Sequence, residues 1–168
     1  TIKPSEVSVV LPAHNEAATI GSVLRAIKTE LGSNAELLVV DDGSTDETAS
    51  AAKAAGAVVI QHPYALGNGA AVKAGARYAN NPYLVLMDAD GQHDPADIGR
   101  LLDQLEEGYE IVVGARQGGQ QSSARALANG VYNRLASLMT GHRIADLTSG
   151  FRATRTNSFR RFLYLLPN

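Results

Sequence analysis

The sequence contains no cysteine and no tryptophan, and its aromatic residues are limited to six tyrosines and three phenylalanines. Without cysteine, disulfides, thiolate nucleophiles and thiolate metal sites are excluded. The core must therefore be built mainly from aliphatic side chains and alanine. The formal net charge is only −2, so no general surface for polyanions is implied and nucleic acid is not an expected partner.

Long apolar runs are also missing. No stretch approaches the roughly 18 apolar residues that a membrane span needs, and the first residues carry no apolar signal segment. A length of 168 residues fits one domain with a sizeable core. The chain as given is therefore expected to be soluble, and its lack of cysteine is compatible with a reducing compartment.

Short apolar runs and segments of helical periodicity alternate strictly along the chain. The predicted strands are residues 7–11, 37–40, 58–60, 83–87 and 111–113, and the predicted helices are residues 20–31, 44–55, 67–79, 94–105 and 124–139. Ser44 opens a capping box at the second helix, and Asp94 is an N-cap before Pro95 at the fourth. This order predicts an α/β fold with a doubly wound, mostly parallel sheet and helices on both faces.

Polar residues follow four of the five predicted strands. They occupy residues 12–16, 41–46, 88–93 and 114–116. The carboxyl ends of parallel strands meet at one edge of the sheet, where open α/β sheets bind their ligands. The sequence therefore predicts one binding site that is built from these four segments.

Asp88-Ala89-Asp90 is the most informative of these segments, because two carboxylates directly follow a buried strand. Side chains at i and i+2 of an extended segment point the same way, so Asp88 and Asp90 can converge on one cation. Carboxylate oxygens suit Mg²⁺ or Mn²⁺, and such ions commonly take phosphate oxygens as further ligands. A metal–phosphate site is the first hypothesis for this turn.

Plainer explanations remain open for the other clusters. Residues 12–16 by themselves favour a simple strand-to-helix turn, with Asn15 or Glu16 at the helix start. A simple turn does not explain the adjacent Asp41 and Asp42, because like charges repel unless a cation or hydrogen-bond donors satisfy them. Arg116 and Arg125 suit phosphate binding, although a solvated arginine explains them equally well.

Five blocks of the sequence, in this order, together resemble family 2 glycosyltransferases of the GT-A fold. They are Leu11-Pro12-Ala13-His14-Asn15-Glu16, Val39-Val40-Asp41-Asp42-Gly43-Ser44-Thr45-Asp46, Gly67-Asn68-Gly69-Ala70, Asp88-Ala89-Asp90-Gly91-Gln92-His93 and Asp146-Leu147-Thr148-Ser149-Gly150-Phe151-Arg152. The fourth and fifth blocks are similar in particular to dolichyl- or polyprenyl-phosphate hexose synthases. The resemblance implies that residues 1–168 form a single GT-A domain with a Rossmann-like nucleotide-binding half, truncated at its C-terminus.

The resemblance also implies roles for individual residues. The nucleotide pocket would be lined by Pro12, His14, Glu16, Val39 and Asp41. The donor diphosphate would be held through a metal by Asp88, Ala89 and Asp90, with Gln92 assisting as a third metal-site residue. Arg116 would contact phosphate and Arg125 the phosphate of the acceptor. The sequence departs from the family at His14, where tyrosine is common, and at Asn129, where serine is common.

The implied activity is that of an inverting hexosyltransferase. It would use Mg²⁺ or Mn²⁺ and a UDP- or GDP-hexose donor, and it would glycosylate a polyprenyl or dolichyl phosphate at the cytoplasmic face of a membrane, in cell-envelope glycan biosynthesis. If the acceptor were instead a sugar hydroxyl of a polysaccharide or glycolipid, a general base would be required, and Asp146 is the candidate. The catalytic residues implied are thus Asp90, Arg125 and Asp146.

Two further interpretations stay open. A nucleotidyltransferase can use a related fold, although the basic, glycine-rich signature typical after strand one is absent from residues 12–16. A truncated, non-catalytic domain that binds a nucleotide sugar is the other. The sequence selects neither the base nor the hexose. An oligomer is compatible with it, because the apolar stripe of the helix at 124–139 can face lipid or a second subunit, but packing in the core is favoured.

Overall fold

A central sheet with helices on both faces forms the part of the protein that the computed structural model describes, residues 1–114 and 149–165. Its strands are β1 (Val7–Ala13), β2 (Glu36–Asp41), β3 (Val58–Gln61), β4 (Tyr83–Leu86), β5 (Ile111–Val113) and β6 (Arg152–Arg155). Its helices are α1 (Ile20–Leu31), α2 (Thr48–Ala54), α3 (Asn68–Tyr78), α4 (Ile98–Glu106) and α5 (Thr156–Arg161). Short 3₁₀ turns cover Pro4–Glu6, Pro95–Asp97 and Leu163–Leu165.

The strand order within these residues is β3-β2-β1-β4-β6-β5. Strands β1 to β4 run parallel to one another, whereas β6 runs antiparallel to both β4 and β5. The chain proceeds outward from β1 through β2 to β3 and then returns to place β4 on the other side of β1. This reversal opens a crevice at the carboxyl ends of β1 and β4, which is where such folds bind ligands.

The core lies in two layers because successive side chains of a buried strand face opposite sides of the sheet. On one face, Val9 and Leu11 of β1 pack with α1, α2 and α4. Leu24 of α1 and Ile98 of α4 are completely buried in this layer. On the other face, Val10 packs with α3 and α5. Helices on both faces explain why the strands are continuous apolar runs rather than alternating ones.

The predicted α/β class with a mostly parallel sheet is confirmed, and all five predicted strands are present. The sequence did not reveal β6, whose residues Arg152-Ala153-Thr154-Arg155 are half polar. The expectation of a strictly alternating order of strands and helices is wrong at this point. The antiparallel β6 separates β4 from β5, and it does so with two central residues, Ala153 and Thr154, that are almost fully buried.

The predicted capping role of Ser44 is wrong. Helix α2 begins at Thr48 with Glu47 at the N-cap position, three residues later than the capping box implies. The hydroxyl of Ser44 instead accepts a hydrogen bond from the backbone N–H of Asn15 (2.9 Å). The N-cap at Asp94 is confirmed, since its carboxylate accepts from the backbone N–H of Ala96 and Pro95 follows it, but the first turn is 3₁₀ and α4 proper begins at Ile98.

The predicted helix at 124–139 lies outside the described residues. Within residues 1–114 and 149–165, none of the helices combines the length and the apolar character that a membrane crossing would need.

Candidate active site

A pocket of about 220 Å³ lies at the carboxyl edge of the sheet, in the crevice between β1 and β4. It is lined by Pro12, Ala13, His14, Glu16, Asp42, Asn68, Ala71, Asp88, Ala89 and Asp90. Two regions of the protein meet at this pocket. The β1–β2 wall comprises residues 12–16 and 41–48, and the acidic turn comprises Asp88, Ala89 and Asp90. Residues of three of the four polar segments predicted to form one site, those after β1, β2 and β4, thus line one pocket, and residues 115 and 116 of the fourth lie outside the described residues.

Asn15 joins the two loops of the β1–β2 wall. Its backbone has a φ of 56°, the left-handed conformation that asparagine tolerates better than most residues. In this conformation its Oδ1 accepts from the backbone N–H of Thr45 (2.8 Å), while its own N–H donates to Ser44 Oγ (2.9 Å). One residue thereby fixes the direction in which the neighbouring His14 and Glu16 leave the backbone.

The imidazole of His14 is oriented by two hydrogen bonds. Its Nδ1 lies 2.8 Å from the backbone carbonyl of Asp42, an acceptor, so Nδ1 carries the proton. Its Nε2 lies 3.3 Å from the side-chain Nδ2 of Asn15, which can donate to an unprotonated Nε2. The two hydrogen bonds fix the orientation of the ring, which lies on the pocket wall.

The carboxylate of Asp42 is buried and holds the segment that leads into α3. Its Oδ1 accepts from His62 Nδ1 (2.7 Å) and from the backbone N–H of Leu66 (2.9 Å), and its Oδ2 accepts from the N–H of Gly67 (2.8 Å). Burial raises the pKa of Asp42, but the hydrogen bonds from His62, Leu66 and Gly67 and the charge of His62 together outweigh burial and leave the pKa below its usual value. Asn68, the first residue of α3, is thereby brought to the pocket.

Asp46 and Thr48 anchor the start of the loop after β1. The backbone N–H of Glu16 donates to Thr48 Oγ1 (2.8 Å), and that of Ala17 donates to Asp46 Oδ2 (3.1 Å). The hydrogen bond from the Thr48 hydroxyl, together with those from the N–H groups of Ala17 and Thr48, outweighs the opposing effect of desolvation and holds the pKa of Asp46 below its usual value. Glu16 therefore faces the pocket from a fixed backbone.

The acidic turn follows β4, which ends at Leu86, so Asp88 and Asp90 lie in a turn and not in the strand itself. The carbonyl of Ala89 accepts from Thr19 Oγ1 (2.9 Å), which ties the turn to the beginning of α1. The N–H of Gln92 donates to Asp90 Oδ1 (3.0 Å). Both carboxylates line the pocket, as the sequence predicts.

Asp88 has one further neighbour that the sequence did not indicate as a site residue. Nε2 of His93 lies 3.3 Å from Asp88 Oδ2. The side chain of His93 is 5% exposed while that of Asp88 is 34% exposed, so the histidine contacts the carboxylate from the protein side and leaves it open to the pocket.

The donor set of the acidic turn fits a hard divalent cation, because it consists of carboxylate oxygens facing an open pocket. Among residues 1–114 and 149–165, no group of three or more His, Cys, Asp or Glu side chains could hold a metal on its own. A cation at Asp88 and Asp90 would therefore need ligands from a substrate or from water. This is the arrangement expected where a diphosphate is bound through Mg²⁺ or Mn²⁺.

Six of the predicted site residues line the pocket together: Pro12, His14, Glu16, Asp88, Ala89 and Asp90. Three others do not contribute to its lining. Val39 is completely buried in the core, the buried Asp41 accepts from the N–H of Ser44 (3.1 Å) and from Gln61 Nε2 (3.3 Å), and Gln92 is exposed. Their roles in binding stay predictions.

Ala13, Asp42, Asn68 and Ala71 also line the pocket, although no individual role was predicted for them. The Gly67-Asn68-Gly69 block was the available signal for the last two, because a turn that opens a helix brings backbone N–H groups and the positive end of the helix dipole to one place. Arg116, Arg125, Asn129 and Asp146 lie outside the described residues. Their predicted roles are therefore untested.

The family model described as "Glycosyl transferase family 2" matches residues 8–163. The chain is 35% identical over 162 residues to glycosyltransferase AglJ of Haloferax volcanii, covering 93% of this chain and 52% of that protein. It is 36% identical over 161 residues to undecaprenyl-phosphate 4-deoxy-4-formamido-L-arabinose transferase of Klebsiella pneumoniae, covering 89% and 49%. The chain thus spans about half the length of these relatives.

The solved structures that it resembles include glucosyl-3-phosphoglycerate synthase from Mycobacterium tuberculosis in complex with Mn²⁺ and UDP-glucose. The TM-score is 0.71 at 31% identity, and the match covers 90% of this chain and 56% of that one. The complex of the same synthase with Mn²⁺, UDP and glucosyl-3-phosphoglycerate gives a TM-score of 0.72 at 28% identity, covering 90% and 57%. The predicted GT-A fold is confirmed, and the chain belongs to glycosyl transferase family 2.

Proposed function

We propose that the protein transfers a hexose, with inversion, from a nucleotide-diphosphate sugar to a polyprenyl phosphate in a metal-dependent reaction. The observation that carries this proposal is the single pocket in which the β1–β2 wall and the acidic turn face each other. The wall offers an aromatic ring and hydrogen-bonding groups for a nucleoside. The acidic turn offers two carboxylates for a cation-bound diphosphate.

Two different similar proteins support the proposed donor and the proposed acceptor. The Mycobacterium synthase is described in complex with Mn²⁺ and UDP-glucose, which supports a UDP-sugar donor and a divalent cation here. The Klebsiella relative is named as a transferase acting on undecaprenyl phosphate, which supports a lipid-phosphate acceptor. An acceptor of this kind places the protein at a membrane surface, and we propose its cytoplasmic face.

In the proposed reaction the bond between the anomeric carbon and the diphosphate oxygen breaks, and a phosphate oxygen of the acceptor forms the new bond from the opposite face. A divalent cation bound at the acidic turn would stabilise the negative charge of the departing diphosphate. Asp88 and Asp90 would hold that cation, and His14 and Glu16 would hold the nucleoside. The acceptor phosphate is already anionic near neutral pH, so it needs no general base.

Three residues outside the described part of the chain complete the proposal. Arg116 is proposed to contact the donor phosphate and Arg125 the acceptor phosphate, since a guanidinium group pairs with phosphate through two hydrogen bonds. Asp146 is required as a base only if the acceptor is a hydroxyl. Whether Asp146 is needed therefore depends on the chemical class of the acceptor.

A hydroxyl acceptor is the second candidate. It is favoured by the similarity to glucosyl-3-phosphoglycerate synthase, which is described in complex with phosphoglyceric acid and with glucosyl-3-phosphoglycerate. Replacing Asp146 with Asn separates the two candidates. The substitution should reduce transfer to a hydroxyl by about a hundredfold or more, whereas transfer to a lipid phosphate should continue at a similar rate.

The test is to incubate the purified protein with Mn²⁺ or Mg²⁺ and radiolabelled UDP-glucose or GDP-mannose. One series contains undecaprenyl phosphate in detergent and a second contains 3-phosphoglycerate. Label that appears in the lipid fraction, and that is lost when the metal is chelated, supports the proposal. Label only in glycosylated 3-phosphoglycerate supports the second candidate. Transfer of the nucleotide instead of the sugar, or binding of UDP without any turnover, contradicts both.

A further inference from the structure

The Ser149-Gly150-Phe151 segment has no part in the reaction described above, although it directly precedes β6. Strand β6 pairs with β4 in antiparallel register, with Leu86 opposite Arg152. Continuing this register by two residues places Asp88 opposite Gly150. The segment therefore lies beside the first carboxylate of the acidic turn.

Gly150 lies so close to Asp88 that a side chain at position 150 would require the Asp88 carboxylate to move. A methyl group at position 150 would overlap both carboxylate oxygens of Asp88 and would lie 2.5 Å from its Cγ. Carbon atoms that are not bonded to each other do not approach this closely. The space that a side chain at position 150 would take is occupied by the Asp88 carboxylate.

The segment around Gly150 has little room to yield. Ser149 is completely buried, its hydroxyl donates to the carbonyl of Gly114 (2.6 Å), and it accepts from the N–H of Phe151 (3.2 Å). The N–H of Gly114 donates to the carbonyl of Phe151 (2.8 Å). A methyl group at Gly114 would lie 2.6 Å from Phe151 Cδ1, so the end of β5 and the Phe151 ring are already at contact distance.

His93 contacts the same carboxylate through its Nε2, 3.3 Å from Asp88 Oδ2. Its ring lies 5.2 Å from the ring of Phe151, a residue of the core that is 3% exposed. The histidine is thus held by the same segment that contains Gly150. The backbone at position 150 limits the space available to the Asp88 carboxylate, and the imidazole at position 93 contacts that carboxylate.

We propose that Gly150 and His93 are positioning residues for the metal site. Gly150 leaves the volume that the Asp88 carboxylate occupies, and His93 fixes the rotation of that carboxylate so that it stays directed at the pocket. The inference deepens the proposed function and rests on it for the identity of the ligand, a divalent cation with a nucleoside diphosphate. It predicts that changes at either residue weaken metal binding while the β1–β2 wall stays intact.

The first test compares Gly150→Ala with Gly99→Ala. Gly99 lies in α4, and a methyl group there would meet nothing within 4 Å, so it controls for the loss of a glycine as such. Binding of Mn²⁺ in the presence of UDP is followed by electron paramagnetic resonance of free Mn²⁺. We expect Gly150→Ala to weaken Mn²⁺ binding by about tenfold or more, with metal-free UDP binding unchanged, and Gly99→Ala to behave as the wild type.

The second test compares His93→Gln with His93→Leu, and it remains informative if Gly150→Ala does not fold. Glutamine can still donate a hydrogen bond to Asp88, whereas leucine fills a similar volume and cannot. We expect His93→Gln to retain Mn²⁺ binding within about threefold and His93→Leu to lose about tenfold, the range measured for groups that support metal ligands. Equal binding by the two variants would contradict the role of His93.

A crystal structure of Gly150→Ala separates this inference from the proposed function. A displaced Asp88 carboxylate in an otherwise unchanged pocket supports the inference, and an unmoved carboxylate overturns it, whatever the wild type binds. Wild-type protein that binds neither UDP nor Mn²⁺ contradicts the proposed function instead. A Gly150→Ala protein in which Asp88 moves but Mn²⁺ binds as in the wild type also overturns the inference.

Discussion

The β1–β2 wall is held by hydrogen bonds that join its two loops directly, whereas the acidic turn is positioned largely by contacts with neighbouring residues such as His93 and Gly150. In the wall, Asn15 and Asp42 each satisfy two or more hydrogen-bonding groups of the opposite loop or of the segment leading to α3. Asp46 accepts from Ala17 of the opposite loop and from Thr48 of its own loop. In the acidic turn, Asp88 has a histidine on one side and a glycine backbone on the other. Asn15, Asp42 and Asp46 are thus used to hold the wall together, and the carboxylates of the turn are left available for a ligand.

The difference implies that the two regions respond differently to substitution. A buried hydrogen-bonding group that loses its partner costs free energy of unfolding. A carboxylate that has few protein partners contributes little to folding, and it can be changed at the expense of binding alone.

The largest effect is expected for Asp90→Asn. The substitution removes a charge from the acidic turn but keeps its size, so metal-dependent binding of UDP and sugar transfer should fall by about a hundredfold or more. The melting temperature should change by about 2 °C or less, because the Asp90 carboxylate accepts only from the N–H of Gln92 among the described residues. Calorimetry of UDP binding with and without Mn²⁺ measures the first quantity, and unchanged metal dependence would contradict the assignment of Asp90.

Asp42→Asn should have the largest effect on stability. The amide would turn N–H groups toward the donors of His62, Leu66 or Gly67, leaving at least one of them unsatisfied in a buried position. The free energy of unfolding in urea should fall by about 2–4 kcal/mol. An Asp42→Asn protein as stable as the wild type would remove the contrast between the β1–β2 wall and the acidic turn.

Two substitutions of Asn15 separate the contributions of its backbone and its side chain. Asn15→Gly keeps the left-handed conformation but loses the side-chain hydrogen bonds, which should cost about 1 kcal/mol. Asn15→Ala loses the same bonds and adds the strain of a positive φ, for a total of about 2 kcal/mol or more. Urea unfolding of both variants gives the difference, and a larger loss for Gly than for Ala would contradict the role of the backbone.

The smallest expected effect is on the stability of the protein at acidic pH. The pKa of Asp42 is lowered in the folded protein, so its contribution to stability is fully present above the pKa of the unfolded chain, about 4. That contribution is lost as the pH falls through the folded value. The difference in unfolding free energy between wild type and Asp42→Asn should therefore shrink below pH about 4. A difference that stays constant down to pH about 2 would show that the charge of Asp42 contributes nothing.

The parts that were predicted from the sequence depend on local spacing. The apolar runs gave β1 to β5, and the position of Asp88 and Asp90 after β4 gave the acidic turn. The parts that were missed depend on partners distant in the chain. Ser44 resembles a helix cap locally, but its partner Asn15 is 29 residues away. Strand β6 has a half-polar sequence, and only its position between β4 and β5 makes it a buried strand.

The position of β6 also affects how the protein is made. This strand is synthesised last of the six yet lies between two strands that leave the ribosome before it. Until it arrives, the open edge of β4 is available for pairing with other chains, a recognised route to aggregation. Its long-range pairing is also the kind that slows folding. We expect the pocket to mature only after residue 155 has been added, because Gly150 and Phe151 reach Asp88 and His93 together with this strand.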